Sequence, residues 1–246
     1  MKISFIIPFH NEEKNIGPML DQVLGYAINQ KWDFEIIPVD DRSTDQGKQV
    51  LQRYSKKYEV IKPLYRNNDE EEVGNTMGKA LLDGSKQASG EIIIWTMGDR
   101  ADATETYGKI VEKIKQNYDM VFGSRYMPGG TWGNLDPTKA FLSSRGTVLA
   151  KLFFGIKVHD ITNAFRGFKK VLLDKIKLNS TGFAISPEFA IKAHLAGYKL
   201  GEVPTVYFDR VEGVSNFKLW KMSWEYLKIY VTLFLEKTFG SNKFIK

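Results

Sequence analysis

Short apolar runs and helix-spaced apolar residues alternate through the first half of the chain. Residues 3–8 (ISFIIP), 34–40 (FEIIPVD), 60–65 (VIKPLY), 91–97 (EIIIWTM) and 119–124 (DMVFGS) are rich in Ile, Val and aromatics. That is the composition of strands buried on both faces. Between them, Ile16, Leu20, Val23, Leu24 and Ala27 make one helical stripe, Leu81, Leu82 and Ala88 a second, and Ile110, Val111 and Ile114 a third. Asn15 fits an N-cap for the first helix, with Pro18 inside its first turn. The alternation predicts an α/β fold, a Rossmann-like, mostly parallel, doubly wound sheet.

The second half changes character. A Gly/Pro/Trp loop at 127–137 precedes a helical stretch at 141–154, and a denser mix of short elements runs to about residue 217. From 218 the chain is aromatic and lysine-rich. Trp220, Trp224, Tyr226, Tyr230 and Phe234 lie among Lys221 and Lys228, the composition of an amphipathic interfacial helix or of rings packed onto the preceding domain. The expected division is a domain at 1–217, with halves at about 1–126 and 127–217, and a helical tail at 218–246. The acidic run NNDEEE (67–72) is expected to be a solvated loop.

Composition narrows the function classes. With 246 residues and 43% hydrophobic content the chain has material for a large core, and global disorder is excluded. The absence of cysteine excludes disulfides, thiolate metal sites and a cysteine nucleophile, and fits a reducing compartment. The net charge of +6 points to an anionic partner: nucleic acid, a membrane surface or a phosphorylated small molecule. Residues 218–246 hold six lysines and two glutamates, so the tail carries +4 and the rest only +2. This distribution favours a membrane surface over nucleic acid, for which no motif is present. KISFIIPF runs into charged NEEK with no cleavage site. IYVTLFL (229–235) is far shorter than the roughly 20 residues of a membrane span. A cytoplasmic protein, peripheral on the cytoplasmic membrane face, is expected.

In a parallel sheet the residues just past the strand ends share one edge, where α/β proteins bind ligands. Polar clusters follow the first, second, fourth and fifth strands: PFHNEE (8–13), DDRSTD (40–45), GDRAD (98–102) and GSR (123–125). Neither G-x-G-x-x-G nor a P-loop occurs, so a nucleotide diphosphate here calls for a divalent cation instead of a glycine-rich turn. Asp99 and Asp102 are hard oxygen ligands suited to Mg²⁺ or Mn²⁺. Asp102 also fits an N-cap before ATETYGKI, and the two roles are compatible.

PFHNEEKNI, EIIPVDDRSTD, GKALLDG with ASGEIII, and MGDRAD together resemble the family 2 glycosyltransferases of GT-A fold. GSRY (123–126), SSRG (143–146), DITNAFRGFKK (160–170) and the segment 197–218 are similar to the dolichol- or polyprenyl-phosphate mannosyltransferase branch. The resemblance spans roughly residues 3–235. It implies inverting transfer of a hexose from a nucleotide-diphosphate sugar, a GDP- or UDP-hexose, to a lipid phosphate. By position, it implies that Pro8, His10 and Glu12 line the nucleotide pocket, that Asp40, with Asp41 beside it, contacts base or ribose, and that Asp99 and Asp102 serve the metal–diphosphate. Arg125, Arg145 and Arg210 match the arginines handling donor and acceptor phosphates. The sequence departs from the family pattern in three places. The usual D-x-D is Asp99-Arg100-Ala101-Asp102, one residue longer, which brings Arg100 within reach of a diphosphate. The G-x-S-K loop reads GVSN, placing Asn216 where a lysine is expected, with Lys218 two residues on. His10 replaces the commoner tyrosine.

The acceptor decides whether a base is needed. A lipid monophosphate oxygen is already anionic near neutrality, the second phosphate pKa being about 6, so arginines that position it are enough. A saccharide hydroxyl would want a carboxylate base, for which Asp160 and Glu188 are the candidates; they fit equally a turn and a helix start. The rivals are therefore a family 2 transferase acting on a saccharide hydroxyl and a non-catalytic nucleotide-sugar-binding protein.

Overall fold

The computed structural model describes residues 1–67, 76–208 and 219–240. Arg210, Asn216 and Lys218 lie outside these residues, as does the acidic run beyond Asn67. Seven strands form one sheet: β1 (Lys2–Phe9), β2 (Asp33–Asp40), β3 (Leu64–Tyr65), β4 (Ile92–Trp95), β5 (Met120–Ser124), β6 (Arg166–Lys169) and β7 (Leu200–Pro204). Their order is β3-β2-β1-β4-β6-β5-β7. All run parallel except β6, which is antiparallel to both β4 and β5.

Both sheet faces are covered, which is why the strands read as unbroken apolar runs. Ile3, Phe5 and Ile7 of β1, with Ile92 and Ile94 of β4, meet α1 (Glu13–Asn29), α2 (Gly47–Lys57) and α4 (Thr106–Lys115). Ile6, Ile37, Ile93 and Trp95 point the other way, into a core shared with α3 (Met77–Gln87), α5 (Pro137–Phe154), α7 (Ile185–Leu195) and α8 (Leu219–Thr238). The short α6 (Val171–Lys175) follows β6. The α1 and α4 stripes are buried as expected, and Leu81 is buried on α3. The helix expected in the C-terminal segment is present as α8, packed on α5 and α7.

Several local expectations are corrected. The N-cap of α1 is Glu12, and Asn15 sits inside the first turn, donating from Nδ2 to Glu12 Oε2 at 2.6 Å. Pro18 therefore falls in the second turn, exposed, where one backbone hydrogen bond is given up. Asp102 is not the cap of α4: the N-cap is Glu105. Asp102 instead bridges to Tyr207, and Phe208 N–H donates to Ala101 O at 3.0 Å. Of 60–65 only Leu64 and Tyr65 join the sheet, with Ile61 making an isolated bridge to Ile36. Pro63, which lacks an N–H, interrupts the ladder between them.

At the edge of the sheet away from the strand C-termini, Glu35 is buried. Its carboxylate accepts Ser4 Oγ (2.7 Å), Ser89 N–H (2.6 Å), Ser89 Oγ (2.9 Å) and Lys62 Nζ (2.7 Å). Burial alone would raise its pKa, but these donors outweigh it and hold the group far below the usual carboxylate range. Its stabilising contribution is thus present above pH about 4.5 and lost progressively as pH falls below that. Glu35→Gln is expected to lower urea stability by about 2 kcal/mol or more at pH 7, with the gap to wild type closing as denaturation is repeated at pH 4 and 3.

Candidate active site

The loops after β1 and β2 are laced together. Asn11, in the left-handed region at φ 55°, accepts Thr44 N–H on Oδ1 at 2.8 Å; Asp45 Oδ2 accepts Glu13 N–H at 2.8 Å; and Glu13 Oε2 accepts Gln46 N–H at 2.9 Å. This places His10, exposed, with Nδ1 2.7 Å from Asp41 O. Pro8 is buried at the end of β1 and Glu12 is half-buried. The two adjacent aspartates differ. Asp41 is held by Arg66 Nη1 (2.6 Å), Arg42 Nε (3.2 Å) and Thr76 Oγ1 (2.6 Å), so both its oxygens are occupied. Asp40 accepts Ser43 N–H at 2.9 Å on Oδ1, and among the described residues its Oδ2 has no hydrogen-bond partner.

The turn after β4 lies against the end of β1. Gly98 N–H donates to Pro8 O at 3.3 Å, and a Cβ on Gly98 would come within 2.8 Å of Phe9 Cβ, so only glycine lets Asp99 approach the first loop this closely. Asp99 and Asp102 are both buried. Asp102 Oδ2 accepts Thr96 Oγ1 and Met97 N–H, each at 3.0 Å. Burial, and then the neighbouring Asp99 charge, push the Asp102 carboxyl up to about 7. Two hard oxygen donors that repel each other in a buried turn are what a divalent cation relieves, so the residues fit Mg²⁺ or Mn²⁺. Arg100, at φ 64°, turns away from the cavity described below, its Nε 3.5 Å from Gln22 Oε1 of α1.

Beyond Asp99 a cavity of about 600 Å³ opens between the sheet edge, α5 and α8. Arg125, at the end of β5, lines it. Its Nε and Nη2 reach Asp160 Oδ2 and Oδ1 at 2.7 and 3.1 Å, and Nη2 also meets Thr162 Oγ1 at 3.2 Å. Burial would lower the Arg125 pKa, but Asp160 more than compensates, so the group stays a cation. Asp160 further accepts Thr162 Oγ1 and Asn163 N–H, joining the turn and ion-pair roles. Arg145, exposed on α5 and stacked 4.9 Å from the Phe141 ring, lines the cavity too. Glu188 sits in the first turn of α7, where its carboxylate takes Asn179 N–H, Ser180 N–H and Lys192 Nζ. Neither Asp160 nor Glu188 is placed to act as a base.

Sequence reasoning missed Lys139, Asn163 and Ser143 of the lining, together with Arg166. Arg166 is fully buried on β6, donating to Ser186 O, Ile161 O and Asn163 O, and so it ties the cavity-lining Ser186 and Asn163 to the sheet. Burial lowers its pKa to about 9. Lys139 was legible in principle: Asp136-Pro137 is a helix start, and Lys139, Leu142, Gly146 and Leu149 then share one side of α5.

The mostly parallel sheet carries an acidic turn after β4 and a buried arginine after β5 at one edge, and residues 4–177 match Glycosyl transferase family 2; the chain belongs to that family. It is 32% identical over 231 residues to the dolichol-phosphate mannosyltransferase of Pyrococcus furiosus, covering 93% of this chain and 62% of that protein's length. It is 27% identical to the polyprenol monophosphomannose synthase of Mycolicibacterium smegmatis, covering 86% and 79%. Among solved structures, glucosyl-3-phosphoglycerate synthase of Mycobacterium tuberculosis, in complex with phosphoglyceric acid, shares the fold with a TM-score of 0.70 at 18% identity, over 94% of this chain and 79% of that one. The same enzyme has been crystallised with Mn²⁺, UDP and phosphoglyceric acid (TM-score 0.67, 16% identity, 94% and 77% coverage).

Proposed function

We propose that the protein transfers a hexose, with inversion, from a nucleotide-diphosphate sugar to a polyprenyl phosphate. The observation that carries this is the lining of the cavity beyond Asp99. Arg125, Lys139 and Arg145 supply positive charge, while Leu135, Leu142, Leu149, Phe183 and Leu227 supply apolar surface. A phosphate on an isoprenoid chain has that combination, and the names of the archaeal and mycobacterial relatives agree with it.

The nucleotide sugar would lie along the β1, β2 and β4 ends, with Asp40 Oδ2 open to the nucleoside and the diphosphate beside Asp99 and Asp102. A Mg²⁺ or Mn²⁺ ion held by these two carboxylates would offset the charge of the leaving diphosphate. Arg125 is locked by its bidentate contact with Asp160, and its Nη1 edge makes no hydrogen bond among the described residues, so it is preorganised for a phosphate. The acceptor phosphate oxygen attacks the anomeric carbon, the new C–O bond replaces the bond to the diphosphate, and no proton need be removed first. Occupied Asp160 and Glu188 fit that base-free step.

The acceptor reaches the site from a bilayer in this reading. Phe141, Val148 and Leu152 are exposed along α5, as are Leu227, Val231 and Leu235 along α8, at helical spacing. The two helices pack together through Phe153 and Phe234 (5.3 Å), and Leu149 and Leu227, exposed at their outer sides, also line the cavity. Lys228 and Lys237 flank the α8 stripe. No helix among the described residues is long and apolar enough to cross a membrane, so contact through these stripes is peripheral.

The test is transfer from labelled GDP- and UDP-hexoses to polyprenyl phosphate in anionic phospholipid vesicles with Mn²⁺. Label is expected in an organic-soluble, mild-acid-labile product, and the protein is expected to sediment with the vesicles. Label appearing only in water-soluble saccharide, or nucleotide-sugar binding without turnover, would overturn the reading.

A further inference from the structure

The aromatic residues of α8 divide into three roles. Trp224 is exposed, with Lys228 Nζ 5.6 Å from its ring. Tyr230 is buried and donates to Gly146 O at 3.0 Å. Tyr226, one turn earlier, lines the cavity together with Met222 and Ser223. It crosses α5 beside Arg145: a Cβ on Gly146 would stand 3.9 Å from Tyr226 Cδ2 and 3.5 Å from Tyr230 Oη, so the glycine brings both rings onto the α5 backbone.

The surroundings of Tyr226 are charged. Arg125, Arg166 and Asp160 all act on it electrostatically, and burial, the largest effect, pushes its phenol well above the ordinary value. The group is therefore a neutral donor throughout the physiological range. Nearby tyrosines have partners: Tyr126 bonds Ser143 Oγ and Ala140 O, Tyr230 bonds Gly146 O, and buried Tyr107 bonds Thr96 Oγ1 at 3.1 Å. The Tyr226 hydroxyl makes no hydrogen bond among the described residues. It is not sealed in apolar packing either, because the one fully enclosed side-chain polar atom lacking a partner among those residues is Ser124 Oγ. A cavity-lining donor next to two guanidinium groups lacks an acceptor, and an anionic ligand would supply one.

We propose that the Tyr226 hydroxyl donates a hydrogen bond to the acceptor phosphate beside Arg125, so that the C-terminal helix completes the acceptor site. This rests on the polyprenyl-phosphate reading above. The hydrogen bond adds affinity for the phosphate and not for the isoprenoid chain.

Tyr226→Phe keeps the ring that packs on α5 and removes only the donor. Its KM for polyprenyl phosphate is expected to rise about tenfold, with the KM for the nucleotide sugar, the kcat and the melting temperature near wild type. Calorimetry with geranylgeranyl phosphate and with geranylgeraniol supplies the second readout: the variant should lose affinity for the phosphate and keep that for the alcohol. An unchanged acceptor KM, an equal loss for both lipids, or a rise in the nucleotide-sugar KM instead would overturn the proposal and leave the transferase reading standing. If wild-type protein neither binds geranylgeranyl phosphate nor uses polyprenyl phosphate, the acceptor reading fails and the Tyr226 assignment fails with it.

Discussion

Asp102→Asn should lower sugar transfer by about a thousandfold while leaving the metal-free fold at least as stable as wild type at pH 8. The amide oxygen can still accept Thr96 Oγ1 and Met97 N–H, so the turn keeps its local bonds. What disappears is a charge beside Asp99. In wild type the Asp102 carboxyl, raised to about 7, binds its proton more tightly folded than unfolded. The stability it adds as an acid is fully present below pH about 4 and is lost as pH rises to about 7. Melting curves taken in EDTA between pH 4 and 8 should show that decline in wild type and not in the variant. Asp99→Asn should also abolish transfer, and it relieves the repulsion from the other side. Parallel pH profiles would refute the electrostatic account, and near-wild-type transfer in either variant would remove that residue from the site.

Arg125→Met should reduce transfer by about a hundredfold or more and, for a different reason, destabilise the fold by about 3–5 kcal/mol. Asp160 is fully buried, and without the Arg125 guanidinium it loses its one ion pair among the described residues, Arg166 acting on it without forming one. The double change Arg125→Met with Asp160→Asn removes the orphaned charge as well. It should recover most of the stability in urea denaturation and none of the transfer. Recovery of both would make Arg125 a purely structural residue, and recovery of neither would mean that the Asp160 turn itself shapes the site.

The first half of the fold was legible because its signals are local. β1, β2, β4 and β5 are apolar runs whose alternate side chains enter two cores, and α1 and α4 bury the stripes their spacing announces. The second half was legible in its long helices, the stretch at 141–154 within α5 and the C-terminal α8, but not in its strands. β6 is the four residues Arg-Gly-Phe-Lys, half of them charged, and it is a strand because Ile92–Trp95 and Met120–Phe122 pair with its two edges. No local pattern carries that information. The site divides in the same way. The acidic turn and the arginine after β5 were visible as clusters at strand ends, whereas the bidentate pairing of Arg125 with Asp160 joins residues 35 apart. Likewise, Asp40 and Asp41 are adjacent and chemically identical in sequence, and only Arg66, Arg42 and Thr76 distinguish them.

The reversed central strand also bears on how the chain is made. β4 reads Ile-Ile-Ile-Trp, and one of its edges is covered only by β6, which emerges about 70 residues later, roughly 4–14 s at ordinary rates of synthesis. Until then the nascent chain presents an unpaired, strongly apolar strand edge, the kind of surface on which growing polypeptides aggregate or recruit chaperones. Changes that weaken the pairing of β6 at Phe168 and Lys169, which do not line the cavity, should therefore show first as a lower yield of soluble protein during expression.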